Sequence, residues 1–177
     1  MVRAMTSDQD SFLRATMGAM DLIYNLSRRL VRSREEAEDL AQDTYLAAFR
    51  AWCEQRRPRR VEPWLATICL NLARSRYRTR SRRPTEVSLE EGAGLTGEDD
   101  PERAALEAVE RESLHRAMWR LPEEQRIAIT LVDLAGLTTA EAARVMGTPR
   151  GTVLSRLHRG RRALAEILGT TAREVTA

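Results

Sequence analysis

The chain has 177 residues, enough for one medium domain or two small ones, and is 42% hydrophobic and 31% charged. That charge argues against a membrane protein, and with no apolar run of about 18 residues no transmembrane helix is expected. The N-terminus, carrying Asp8 and Asp10, lacks a signal-peptide pattern, so a cytoplasmic location is expected. The net charge of +3 hides alternating blocks: ten Arg against Glu62 alone over 56–83, ten acids against Arg103 and Arg111 over 86–112, and five Arg with no acid over 150–162. Such a pattern points to two contacts with a polyanion on either side of a segment that avoids it.

In chain order, Phe12, Leu13, Met17, Met20, Ile23, Tyr24, Leu26 and Leu30 recur at helical spacing. Ser33 with Glu36 is a capping-box pattern, which predicts a second helix from about Arg34 to about Trp52. Pro58 and Pro63 bracket a basic turn, after which a third helix is expected from Trp64 to about Arg80. Aromatic residues are only 5%, so the core must rest on Leu, Ala, Ile and Val. Cys53 and Cys69 have no CxxC spacing and only His115 and His158 for company; two half-buried thiols are expected, with no metal and no cofactor.

The stretch "RRPTEVSLEEGAGLTGEDDP", residues 82–101, has little periodicity and reads as an acidic linker. Asp100-Pro101 then opens a helix carrying Ala105, Leu106, Val109, Leu114 and Met118. Leu121-Pro122-Glu123-Glu124 restarts a helix expected to run through Leu134 to Gly136. Thr138 with Glu141 opens a short helix that ends at Gly147, and Thr148-Pro149 opens the last, long one. No stretch alternates with period two, so the fold class is all-α: two small helical domains, over 1–83 and 105–177, joined by a linker over 84–104.

Two short helices meeting at Met146-Gly147-Thr148 have the shape of a helix-turn-helix. At about 100° per residue, Val153, Leu157, Leu164 and Leu168 fall on one face of the second helix, and Gly151, Ser155, His158, Arg159 and Arg162 on the other. Such a face fits the major groove of B-DNA, with Thr152 and Arg156 on a flank suited to phosphate. Arginine opposite an apolar stripe is often only a solvated face. Here it coincides with two caps, a glycine turn and an acid-free stretch.

"LPEEQRIAITLVDLAGLTTAEAARVMGTPRGTVLSRLHRGRRAL" resembles the promoter −35-reading region 4 of extracytoplasmic-function sigma factors, and "AEDLAQDTYLAAFRAW" with "PWLATICLNLARSRYRTRSRR" resembles their region 2. The likeness covers about residues 10–83 and 105–168. It implies a non-enzymatic initiation factor that binds core RNA polymerase through the β′ clamp helices and β flap, reads promoter DNA, and leaves room for an anti-sigma partner. By this resemblance the polymerase-binding set is Asp39, Gln42, Asp43, Leu46 and Phe49, and the −10 set is Asn71, Arg74, Ser75, Arg76 and Arg78. The −35 set is Arg150, Gly151, Thr152, Leu154, Ser155, Arg156, His158, Arg159 and Arg162. Ser75 stands where many relatives carry Asp or Asn, and "CEQRRPRRVEP" replaces their usual Phe-Arg-Gly turn.

Pattern alone leaves alternatives open. Leu46 and Phe49 can pack under the first helix, Asn71 can bridge helices, and the linker can be a plain solvated tether. A stand-alone helix-turn-helix regulator would also fit the second block, though no dimerisation element follows it, and a protein-binding adaptor would need none of the arginines.

Overall fold

The computed structural model describes residues 2–54, 57–80 and 112–175, so the expected linker and the helix start at Asp100-Pro101 lie outside the described residues. Among the described residues every regular element is helical, as the missing period-two pattern required.

The first apolar run is divided in two: α1 is Val2–Thr16 and α2 is Met20–Leu30, with a 3₁₀ turn, Met17–Ala19, between them. The buried Thr16 hydroxyl donates back to the Phe12 carbonyl oxygen at 2.8 Å, the kind of local bond that bends a helix. Helix α3, Arg34–Cys53, begins where expected, because the Ser33 hydroxyl accepts from the Glu36 backbone N–H at 3.1 Å. Helix α4, Val61–Arg80, begins three residues before Trp64, since Pro63 sits in the first turn, where its missing N–H costs nothing.

Helices α2, α3 and α4 pack on one another with α1 laid across α3. Their core contains Ile23, Leu26, Leu40, Trp52, Leu65 and Leu70. Phe12 stacks edge-on against Phe49 and Trp52, at centroid distances of 5.3 and 5.7 Å. The two thiols differ more than the sequence implied. Cys53 is exposed, whereas Cys69 is buried with its sulfur 3.5 Å from the Ser27 hydroxyl, and burial pushes that thiol's pKa up.

The second unit comprises α5 over 112–119, α6 at Glu123–Ile129, α7 at Thr139–Met146 and α8 at Arg150–Val175. The helix expected to run unbroken to Gly136 instead widens into a π turn, Thr130–Leu134. There the Thr130 hydroxyl takes the Arg126 carbonyl at 2.8 Å, and the Ala135 N–H reaches back to the Thr130 carbonyl at 2.9 Å. Gly136 and Gly147, both at φ 65°, close the two turns in the left-handed region, where any side chain would be strained. The Thr138–Glu141 capping box is complete. At α8 the Pro149 carbonyl accepts from the Thr152 and Val153 N–H groups, while the Thr148 hydroxyl accepts from Arg156 at 3.4 Å.

The units also touch directly. Helix α2 packs on α6 and the π turn, α4 packs on α7, and the buried side chains of both units form one continuous cluster.

Candidate functional site

Helix α8 is fixed from one side and open on the other. Val153 and Leu157 are buried against the second unit, and Leu164 and Leu168 are half-buried below them, as the stripe predicted. Gly160 continues that stripe, one heptad beyond Val153, and was missed as a site by pattern reasoning. A Cβ there would lie 2.9 Å from Ile129 Cδ1 and 3.1 Å from Gln125 Cβ, so the glycine lets α6 and α8 approach closely. The opposite side presents Arg150, Gly151, Leu154, Ser155, His158, Arg159 and Arg162, all exposed.

The flanks of this face are secured by pairing. Arg150 Nε donates to the Thr139 hydroxyl at 2.9 Å, tying the start of α8 to the start of α7. Arg156 is half-buried and pairs with Glu124 at 2.9 Å, so it braces α8 on α6, while Thr152 is half-buried beside it. Arg161 makes a two-point pair with Asp133, at 2.5 and 2.9 Å. Arg162 pairs with Glu166 one turn on, and Arg159 Nε donates to the Ser155 carbonyl of its own helix at 3.3 Å. The acids near the face therefore neutralise its edges, and the middle, Ser155, His158 and Arg159, stays cationic.

On α4, Asn71 and Ser75 are exposed on one side of a helix whose other side, Leu65, Cys69 and Leu70, is core. Arg78 is exposed beyond them. Arg74 and Arg76 are turned elsewhere. Arg74 donates to the Met146 carbonyl oxygen of α7 at 3.3 Å. Arg76 pairs with the Asp43 carboxylate and donates to the Glu36 and Asp39 carbonyls at 3.5 and 3.3 Å. Arg74 and Arg76, both expected to meet nucleic acid, are thus engaged within the protein in this state.

On α3, Leu40, Thr44 and Ala48 face the core, while Asp39, Gln42, Asp43 and Leu46 lie exposed, Leu46 at 50%. Phe49 is shared between the two readings: half-buried, with its ring on Phe12. The exposed strip mixes one large apolar side chain with carboxylates, the composition of a protein-docking edge.

Sequence reasoning missed the join between units. Arg126 Nε donates to the Arg29 carbonyl oxygen at 2.8 Å and Nη1 to the Leu121 carbonyl at 3.1 Å, with the guanidinium 4.0 Å above the Trp119 ring. Arg60 Nη1 pairs with Glu141 Oε1 at 2.5 Å. The Glu141 carboxyl is held below its ordinary range by the Thr138 backbone N–H and hydroxyl, with Arg60 adding to it. Burial lowers the pKa values of Arg29 and Arg126, and neighbouring arginines lower them further. The one available signal was Arg126 itself, a charge on the apolar side of "EEQRIAI".

Two family descriptions match: "Sigma-70 region 2" over residues 19–83 and "Sigma-70, region 4" over residues 111–164. The chain is 32% identical to the RNA polymerase sigma-H factor of Pseudomonas aeruginosa over 97% of its own length and 93% of that protein's. It is 35% identical to the ECF RNA polymerase sigma factor SigM of Mycobacterium tuberculosis, over 83% of this chain and 71% of the relative. Among solved structures, the sigma factor RpoE in complex with the anti-sigma factor NepR from Bartonella quintana superposes with a TM-score of 0.71 at 26% identity, covering 90% of this chain and 97% of that one.

Proposed function

The chain belongs to the extracytoplasmic-function sigma factors of RNA polymerase, and we propose that it directs initiation with α8 on −35 DNA, α4 on −10 DNA and α3 on the polymerase. The observation that carries this assignment is the state of α8: its apolar side is packed, its flanks are paired off, and Ser155, His158 and Arg159 are left as an exposed basic centre. A helix of this width enters the major groove, where Arg159 and Arg162 can take guanine O6 and N7, and Ser155 and His158 other base edges. Gly151 lets the helix start approach the backbone, where Arg150 and Thr152 serve phosphate, and Leu154 suits a thymine methyl.

Asn71 and Ser75 offer short donors and acceptors to an unstacked −10 base, with Arg78 following the strand. Arg74 and Arg76 join them only after leaving their partners on α7 and α3. The Asp39, Gln42, Asp43, Leu46 and Phe49 strip would dock on the β′ clamp helices, and the second unit on the β flap. The factor works in the cytoplasm and performs no chemistry of its own. Among the described residues no helix is long and apolar enough to cross a membrane. Its likeness to a sigma factor solved with an anti-sigma factor supports control by such a partner.

Gel filtration with core RNA polymerase tests the assignment. Co-elution that is lost in Leu46→Glu supports it. Tight, sequence-selective duplex binding by the free chain with no co-elution would instead support a stand-alone regulator.

A further inference from the structure

Arg60, Arg76, Arg156 and Arg161 each tie one element to another through a carboxylate, on Glu141, Asp43, Glu124 and Asp133 respectively. The arginines where α2 meets α5 and α6 are arranged differently. Arg28 and Arg29 lie in the last turn of α2, Arg32 just past it, and Arg126 comes from α6. Arg126 and Arg32 both address the Trp119 ring, at 4.0 and 5.7 Å from its centroid. The His115 ring packs edge-on against the same indole at 6.3 Å and feels the charges of Arg28, Arg29 and Arg126. Four guanidinium groups thus surround one pair of rings.

Among the described residues none of the four is salt-bridged to a carboxylate, and Glu123 acts on Arg126 only through space. The end of α2 supplies part of the balance: Arg29 Nη1 takes the Asn25 carbonyl at 3.3 Å, and Arg126 Nε takes the Arg29 carbonyl at 2.8 Å. A helix C-terminus carries only about half a negative charge, so a surplus of positive charge remains. Arg29 is 7% exposed, and its Nε is buried with no hydrogen-bond acceptor. Burial, then the charges of Arg28 and Arg126, lower its pKa. A buried guanidinium donor without an acceptor is costly and calls for a partner.

What the cluster lacks is negative charge. Trp119 is already engaged by two guanidinium groups, which argues against a stacked nucleobase and for a compact oxyanion, whose geometry matches the guanidinium fork. The inner pair, Arg29 and Arg126, is buried, while Arg28 is half-buried and Arg32 exposed. A duplex cannot reach the inner pair, whereas a small anion can enter past the outer one. We propose that α2, α5 and α6 form a site for a small phosphate oxyanion, with Arg29 and Arg126 as its floor and Arg28 and Arg32 as its rim. Free pyrophosphate and the phosphate tail of a nucleotide share this chemistry. The site stands independently of promoter reading by α8. An anion that meets this cluster only in the folded chain stabilises the fold.

The full chain is titrated with sodium pyrophosphate at constant ionic strength and followed by thermal unfolding and calorimetry, with ATP and a short DNA duplex as further arms. Pyrophosphate should bind one to one and raise the unfolding midpoint by a few degrees, saturably. The double variant Arg28→Gln, Arg32→Gln should bind about tenfold more weakly or worse, with helix content unchanged. Without ligand it should unfold no earlier than wild type, because like-charge repulsion has been relieved. Arg159→Gln, on the exposed side of α8, should bind pyrophosphate as wild type does. Binding of pyrophosphate but not ATP assigns the site to the free anion, and equal binding of both extends it to a phosphate tail; either supports the site. No response to pyrophosphate overturns it, as does binding lost in Arg159→Gln but kept in the double variant. Earlier unfolding of the unliganded double variant contradicts the surplus of charge. Displacement of pyrophosphate by the duplex puts a nucleic-acid backbone at the cluster and overturns the small-anion assignment.

Discussion

Arg126 reaches across the boundary between the two units to bind the backbone of Arg29: its Nε–H donates to the Arg29 carbonyl oxygen at 2.8 Å, 97 residues away in the chain. The same guanidinium lies 4.0 Å above the Trp119 ring and also holds the Leu121 carbonyl. Arg126→Met keeps the bulk and removes both donors. Loss of hydrogen bonds from a buried charged group, with the cation–π contact, outweighs relief of repulsion from Arg29, and a net destabilisation of about 1–3 kcal/mol is expected. Urea unfolding of the two proteins side by side measures it; equal midpoints and slopes would show that the contact is idle.

His115 provides a pH signature of the same region. Its Nε2 accepts from the Trp119 indole N–H at 3.1 Å, which requires the neutral ring. Burial, then the charges of Arg28, Arg29 and Arg126, lower its pKa from 6.5 to about 4. Between those values the unfolded chain binds more protons than the folded one, so stability rises with pH. The contribution is fully present above about 6.5 and is lost as pH falls toward 4. His115→Gln keeps an acceptor but cannot titrate. Its stability should fall less steeply than wild type over this window, and parallel curves would contradict the account.

Gly160 sits in the middle of α8, where alanine would ordinarily add helix stability of about 1 kcal/mol. Here the added methyl meets Ile129 Cδ1 at 2.9 Å and Gln125 Cβ at 3.1 Å. The isoleucine tip can swing, but the Gln125 Cβ is part of α6 and cannot move alone. Overpacking costs about 1–3 kcal/mol, so Gly160→Ala should destabilise the second unit, and Gly160→Val more so. Thermal unfolding of the pair gives the answer; a raised midpoint in Gly160→Ala would mean that α6 and α8 are less closely packed.

Much of this arrangement was legible because its determinants are local. Ser33, Thr138 and Glu141 cap the helices they were expected to cap, Gly147 makes the left-handed turn, and the α8 stripe separates Val153 and Leu157 from Ser155, His158 and Arg159. What stayed hidden depends on distant partners. Nothing near Arg126 announces Arg29, nothing near Arg60 announces Glu141, and nothing near Arg76 announces that α3 brings Asp43 beside it. Beside the break at Met17–Ala19 and the π turn at Thr130–Leu134, threonine hydroxyls donate to the carbonyls four residues back, and periodicity registers neither departure.

Arg159 and Arg161 are neighbours on α8 with different expected roles. Arg161 is paired at two points with Asp133, whereas Arg159 lies on the exposed side of α8 and its Nε donates to the Ser155 carbonyl of its own helix. Arg159→Ala should cost about 1–3 kcal/mol of promoter discrimination, appearing as relaxed preference at one −35 base pair. Arg161→Ala should leave promoter choice unchanged. Competition between wild-type and −35-substituted duplexes in the polymerase-bound state separates the two; equal effects would place the reading face elsewhere.

Run-off transcription tests the central claim most directly: core RNA polymerase, with and without the chain, on fragmented genomic DNA, with the 5′ ends sequenced. The account predicts discrete start sites that appear only when the chain is present and share −35 and −10 elements at a fixed spacing. The same start sites should be lost with Leu46→Glu and redistributed with Arg159→Ala. Start sites no different from those of core enzyme alone, under conditions where the chain is folded and in excess, would contradict it.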